Sequence, residues 1–279
     1  MELIDTHQHL FYRDDLHYPW LAEFKPLDDD YTIQRYAEEA GPVKPTGTLF
    51  MECDVAESDS AREAHFMYGL AEAAPIPMLG VIAAARPEEA GFEAYLDSID
   101  HDLLVGIRRV LHVAPEGTAE APLFVPHLRK LAGRGLTFDL CVRADQLELA
   151  VSLAKVVPDL QFILDHCGCP SLDGSSDPAW SEGIAALAAL PNVACKVSGI
   201  TAYGEKDQLI TDNLHRTLDT VLEQFGPDRL VWGGDWPVCT LNSGLAEWIR
   251  LSVEWSCRLS TSERDDLFAG NTRRIYLGA

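Results

Sequence analysis

Leu3-Ile4-Asp5-Thr6-His7-Gln8-His9 begins apolar, turns polar toward its end, and carries β-branched and alternating character throughout. As a strand it sends His7 and His9 to the same side, because successive side chains on a strand alternate between faces. Seven more runs of this kind follow: Thr48 to Asp54, Leu79 to Ala84, Val105 to Val110, Thr137 to Val142, Gln161 to His166, Val193 to Ser198 and Leu230 to Asp235. Several are almost continuously hydrophobic, the pattern of strands buried on both faces of a parallel sheet. Between them, Ser60 to Ala74, Leu123 to Ala132, Gln146 to Val156, Ser181 to Leu190 and Gln208 to Phe225 repeat apolar or small residues at helical steps. Gly133, Gly135 and Gly226 follow or close such stretches, as helix ends require. Strand then helix, repeated, predicts an α/β fold of the (β/α)8 TIM-barrel type, one domain over residues 1–279. A doubly wound open sheet is the lesser reading, since no Gly-rich phosphate fingerprint follows an early strand.

Composition narrows the partners. With 47% hydrophobic and 24% charged residues the 279-residue chain has the make-up of a globular protein, and its longest apolar stretch, Leu79 to Ala85, is far too short for a bilayer. The excess of 44 acidic over 22 basic residues gives −22, a field that repels nucleic acid and anionic lipid. The N-terminal residues have no basic segment or long apolar core, so the expected location is the cytoplasm. Seven cysteines, four of them (Cys53, Cys141, Cys167, Cys195) inside strand-like runs, fit reduced core thiols. The pair Cys167 and Cys169 lacks a second pair at zinc-finger spacing. Oligomeric state is left open by the sequence.

In a barrel of this type, chemistry belongs at the C-terminal ends of the strands. Those ends are polar here: His7 and His9, Glu52 and Asp54, Arg108 and Arg109, Asp165 and His166, Lys196 and Ser198, Asp235. His7, His9 and His166 with Asp235 make a three- or four-ligand shell with an open position, suited to a divalent metal ion, zinc by ligand type. Glu52 is open between metal ligand, general base and salt-bridge partner. Arg108 and Lys196 either hold a substrate carboxylate or hydroxyls, or neutralise neighbouring acids. Asp139 and Arg143 are weaker candidates. The insert Phe11 to Asp30 suits an active-site rim, and Trp20, Trp180, Tyr203 and Trp236 stand in or near strand-to-helix loops where they could pack on a substrate ring. His17, His65, His101, His127 and His215 read as surface residues, and His112 is undecided. No GxSxG, HExxH, P-loop or GxGxxG motif is present, and Ser198 has no activating signature. A glycosidase-like pair, Glu52 and Asp235, would leave the three histidines unexplained.

The segments Leu3 to Leu10, Tyr18-Pro19-Trp20, Gly106-Ile107-Arg108, Asp165 to Pro170, Asn192 to Gly199 and Gly234-Asp235-Trp236-Pro237 together resemble the amidohydrolase-2 branch of the amidohydrolase superfamily. Within it the chain is most similar to sugar-lactone lactonases and, more distantly, to 2-pyrone-4,6-dicarboxylate lactonase. The resemblance implies a distorted (β/α)8 barrel with His7, His9, His166 and Asp235 at the reaction centre and Asp235 as base for water. It also implies a small lactone, most simply a sugar lactone, as substrate, with or without one divalent metal ion. Strand four offers Arg108 and Arg109 where binuclear members carry a bridging lysine, and Lys196 stands where metal-rich relatives bring another histidine. The competing expectations are a decarboxylase or metal-dependent phosphoesterase of the same superfamily and, in another class, a catalytically silent binding barrel.

Overall fold

The computed structural model describes residues 1–173, 175, 177–202 and 211–279. Eight strands lie in chain order in one sheet, each parallel to the next: β1 Ile4–Gln8, β2 Gly47–Met51, β3 Met78–Ala84, β4 Leu104–Val110, β5 Thr137–Cys141, β6 Phe162–Leu164, β7 Val193–Val197 and β8 Leu230–Trp232. Helices alternate with them: α1 Ile33–Glu39, α2 Ser60–Ala71, α3 Phe92–Ser98, α4 Phe124–Gly133, α5 Leu147–Val156, α6 Pro178–Ala188, α7 Thr211–Phe225 and α8 Leu245–Ser256. The start of the expected seventh helix, 208–210, lies outside the described residues. Helices α1 and α3, seven residues each, are too short to express a period, and α8 repeats apolar residues at 245, 248, 249 and 255. None of these three stands among the stretches picked out by periodicity. After α8 come α9 Thr261–Asp265, a π-helical turn at Asp266–Gly270 and α10 Asn271–Tyr276, which closes the bottom of the barrel. No helix among the described residues is long and apolar enough to cross a membrane.

The barrel has two cores. Inside, Leu49, Met51, Ile82, Ile163, Ala194 and Val231 pack onto Tyr276. Outside, a larger apolar layer, including Phe50, Phe138, Phe162 and Trp232, fills the space between sheet and helices. Burying these side chains, at about 25 cal/mol per Å² of apolar surface, is the main source of stability. Cys53, Cys141, Cys167, Cys195 and Cys239 are buried free thiols, in keeping with a reduced core.

Closure between first and last strands runs through one carboxylate. Asp5 Oδ1 accepts from the backbone N–H of His7 at 2.9 Å and of Gly234 at 2.7 Å, and Oδ2 accepts from Tyr36 Oη at 2.7 Å. Gly234 must be glycine there, because a Cβ would stand 2.4 Å from Asp5 Oδ2. Backbone bonds from Asp235 to His7 O (2.8 Å) and from His9 to Trp236 O (2.8 Å) complete the seam. We expect Asp5→Ala to leave two buried N–H groups and a buried hydroxyl without their acceptor, lowering stability by about 2–4 kcal/mol. Urea denaturation checks this: the midpoint falls with the m value unchanged.

Candidate active site

Three strand ends, those of β2, β6 and β8, fall two or three residues short of the expected boundaries, and the departures of β6 and β8 build the site. β6 stops at Leu164 and β8 at Trp232, short of the expected His166 and Asp235. Beyond each, the chain enters the left-handed region: His166 at φ 53° and Cys167 at φ 54° after β6, Asp235 at φ 54° after β8. Asp54, after β2, does the same at φ 50°. Alternation from the inward-facing Ile163 would turn Asp165 inward and His166 outward. The left-handed turn instead buries both at the mouth. Such non-glycine conformations cost about 1–3 kcal/mol each and cluster where a site needs them.

His7 and His9 come together as the strand pattern requires, with Nε2 atoms 3.1 Å apart. His9 Nδ1 lies 3.0 Å from Met51 O, an acceptor only, so its ring proton is on Nδ1 and Nε2 presents a lone pair. Asp235 Oδ1 stands 3.6 Å from His7 Nε2 and 3.5 Å from His9 Nε2, and Asp235 Oδ2 lies 4.0 Å from His166 Nδ1. His166 Nδ1 is also 2.9 Å from Ser198 Oγ. Gly199 follows at φ 64°, where a Cβ would come within 2.4 Å of His166 Nδ1 and 2.5 Å of Asp235 Oδ2.

These groups are dry and their protonation is displaced. Burial, aided by the Lys196 ammonium, pushes His7 well below the ordinary imidazole range; burial, with Arg108, pushes His9 down to about 4. Burial lowers His166 too, against the pull of Asp235. Asp235 moves the other way: burial raises it to about 6, although His166 and Arg108 oppose the shift. The imidazoles are therefore neutral at pH 7, and the carboxylate is charged yet unusually basic.

The other expected site residues separate into two groups. Arg108 and Trp20 line the cavity above this centre, a space of about 690 Å³ bordered also by Phe11, Phe24, Cys53, Asp54 and His112. The Phe11 to Asp30 insert forms part of its rim as expected, through short 3-10 turns at Pro19–Ala22 and Lys25–Leu27. Glu52 does not join the ligand cluster. It is turned onto Arg108, with Oε1 2.5 Å from Nε, while its backbone oxygen accepts from Nη2 at 2.7 Å.

Lys196 does not line the cavity either. It lies fully buried beneath the histidines, 2.5 Å from Asp139 Oδ1, 3.0 Å from Asp165 Oδ1 and 3.3 Å from His7 Nδ1. Trp236 is thrown to the opposite side of Asp235, packed edge-on against Tyr31 and Tyr36 with Nε1 donating to Glu39 at 2.8 Å. Trp180 is buried in α6 and donates to Cys167 O, Arg143 pairs with Asp145 at the surface, and Tyr203 lies outside the described residues.

His127, read as a surface residue, is buried: it stacks on Phe92 and its Nδ1 is 2.7 Å from Pro87 O. His17, His65 and His101 are exposed, and His215 is half-buried. His112 stands beside the cavity with Nδ1 3.2 Å from Cys141 Sγ. Asp165, one of the polar strand ends but without an expected role, contacts Lys196, His7 (3.5 Å) and Arg108 (3.7 Å). Its sequence signal was adjacency to His166 at a strand end.

The donor set fits a divalent cation. His7, His166 and Asp235 each present a ligand atom within 4.8 Å of the others. Asp235 Oδ2 is buried without a hydrogen-bond partner, and the 3.1 Å gap between the Nε2 atoms of His7 and His9 calls for a shared proton or cation.

Imidazoles and a basic carboxylate converging at the C-terminal mouth of a parallel barrel define the catalytic mouth of a barrel enzyme. The chain belongs to the amidohydrolase family, whose profile matches residues 4–277, and it is a hydrolase. Over 125 residues, 41% of this chain and 42% of the relative, it is 38% identical to an L-fucono-1,5-lactonase of Burkholderia multivorans. It is 23% identical to an L-rhamnono-gamma-lactonase of Scheffersomyces stipitis over 294 aligned positions covering 87% of each chain. A crystal structure of an amidohydrolase from Burkholderia multivorans with bound zinc superposes with a TM-score of 0.89 at 26% identity, covering 99% of both chains.

Gly199→Ala is expected to push His166 and Asp235 apart and to force alanine into a left-handed conformation. Turnover should fall at least ~10-fold and stability by about 1–3 kcal/mol. Steady-state kinetics beside a thermal melt tests both; a variant with unchanged kcat shows that the His166–Asp235 spacing does not matter.

Proposed function

We propose that this hydrolase opens the ring ester of a small, neutral lactone, with Asp235 as the base for the attacking water. The observation that carries the reading is Asp235 itself: buried at the floor of the cavity, raised to about 6, with Oδ2 left over for a water. A base poised just below neutral pH is ionised and still able to accept a proton in the transition state. The lactonases among the relatives support the same reaction, and their sugar lactones are the first substrates to test.

Hydrolysis of a lactone requires a nucleophile, a stabilised oxyanion and a proton for the leaving oxygen. Asp235 orients water by Oδ2 and takes its proton as the oxygen attacks the carbonyl carbon. The ring C–O bond then breaks, the proton returns from Asp235 to the departing alkoxide, and an open-chain hydroxy acid leaves. The His166 imidazole, held by Ser198, stands 4.0 Å from Asp235 Oδ2 and borders the space in which the water would sit. Arg108 Nη1, 3.4 Å from His7 Nε2, places fixed positive charge next to the centre. His7, His9, His166 and Asp235 are the residues that would hold a divalent metal ion, zinc by ligand type; when bound, it supplies Lewis acidity to an ester carbonyl and acidifies water.

Charge favours a neutral substrate. Arg108 is committed to Glu52, and Glu23 and Asp54 also border the cavity, so a carboxylate- or phosphate-bearing molecule meets more acid than free base among the described lining residues. This weighs against the decarboxylase and phosphoesterase alternatives. A dry, basic carboxylate beside neutral imidazoles is out of place in a silent binding barrel.

Asp235→Asn should fold normally by circular dichroism and lose at least ~10²-fold in lactone hydrolysis, followed as acid release over a panel of lactones. Near-wild-type turnover removes Asp235 from the mechanism. Elemental analysis should find about one equivalent of divalent metal on the purified protein, and much less on His7→Ala or His166→Ala. Under half an equivalent together with full activity in chelator shifts carbonyl polarisation to protein groups alone.

A further inference from the structure

The cavity changes character with depth. Its floor is polar, made by His9, His166, Asp235 and Arg108, whereas its outer wall is largely hydrocarbon. Trp20, Phe24 and Leu27 come from the insert after β1, Val113 from beyond β4, and Val238 and Leu241 from the segment after β8. At the rim, Phe24 is 39% and Val113 65% exposed. The two are among the few large apolar side chains left in water among the described residues, and both border this one cavity.

Size points the same way. Even at ~30 Å³ per non-hydrogen atom, the share of a water in the liquid, a ring lactone of about 11 such atoms takes up roughly 330 Å³. That is about half of the 690 Å³ present. In the outer half polar groups are few: the carboxylates of Glu23 and Asp54 can accept from hydroxyls, and His112 Nδ1 already faces Cys141 Sγ. A polyol seated there would meet those acceptors on part of the wall only, and its remaining hydroxyls would lie against hydrocarbon, a costly arrangement.

We propose that the outer cavity is a subsite for a hydrocarbon substituent, so that the preferred substrates are neutral lactones bearing an alkyl or aryl chain of several carbons. The ester then sits at the histidines and Asp235, and the chain runs out along the wall formed by Trp20, Phe24, Val113 and Leu241. This inference rests on the lactonase reading and adds to it the class of ring substituent.

The test is a homologous series of neutral γ- and δ-lactones, from the unsubstituted ring to an eight-carbon chain, assayed beside aldonolactones of matching ring size. The expected result is a kcat/KM that rises about fourfold per methylene over the first carbons, the equivalent of ~0.8 kcal/mol for each buried CH₂. In Val113→Asp and Phe24→Ser the slope should drop below twofold per methylene. A flat or falling series, with aldonolactones hydrolysed well, overturns the hydrocarbon subsite and leaves the lactonase reading standing. Calorimetric titration with the matching alkyl lactams supplies the second arm. Affinity that climbs with chain length while no lactone of any kind is hydrolysed supports the subsite and overturns the lactonase reading; affinity independent of chain length overturns the subsite.

Discussion

The centre of this enzyme hangs on one buried ammonium. Lys196, at 0% exposure, is the largest charged side chain among the fully buried described residues, and an unpaired charge there would be prohibitive. It is held by Asp139 and Asp165, and Tyr276 from the last helix donates to the same Asp139 oxygen at 2.8 Å. Burial works to raise Asp165, but Lys196 and His7 outweigh it and hold this carboxylate well below its usual range. Asp139, sharing the ammonium and farther from the imidazoles, is carried by burial up to about 7. The cluster fixes His7 from behind, so that the face of its ring toward His9 and Asp235 is set before any ligand arrives. A second buried pair, Arg108 with Glu52, performs the same service from the side. Catalytic geometry of this kind is preorganised by its supports as much as by the reacting groups.

The sequence made the barrel legible because eight β-rich runs express both the parallel-sheet pattern and its repetition. The HxH pair was legible for the same reason: two residues at strand spacing share a face. Periodicity failed where geometry is local. It extended β6 and β8 through His166 and Asp235, since left-handed turns leave no mark in hydrophobicity. It also could not tell depth. Lys196 points into the barrel, as its place on β7 requires, but its register partner is Val231, a layer below the mouth, so it supports the histidines and does not reach the cavity. Trp236 shows the opposite failure. It is adjacent to Asp235, yet the turn that aims the acid inward sends the indole outward onto Tyr31 and Tyr36. Glu52 was open between three roles, and only the position of Arg108 across the sheet selects the ion pair.

The two-zone cavity divides the work of recognition. Hydrogen-bonding groups are concentrated at the floor, where they are dry and few, and the wall above contributes apolar contact without directional demand. The apolar surround also sustains the displaced protonation of the floor, because the shifts of His9, His166 and Asp235 all have burial as their largest cause. Opening the mouth to bulk water would weaken binding and the basicity of Asp235 together.

The seam between first and last strands has a temporal cost during synthesis. Asp5 and Gly234, whose bond closes the barrel, are 229 residues apart. At the ~5–20 residues per second of a translating ribosome, β1 waits on the order of 10–50 s for its partner, with one edge unpaired. A nascent chain in that state is prone to join its neighbours edge to edge. The −22 net charge bears on that hazard independently of any ligand, because mutual repulsion between like-charged chains opposes their association.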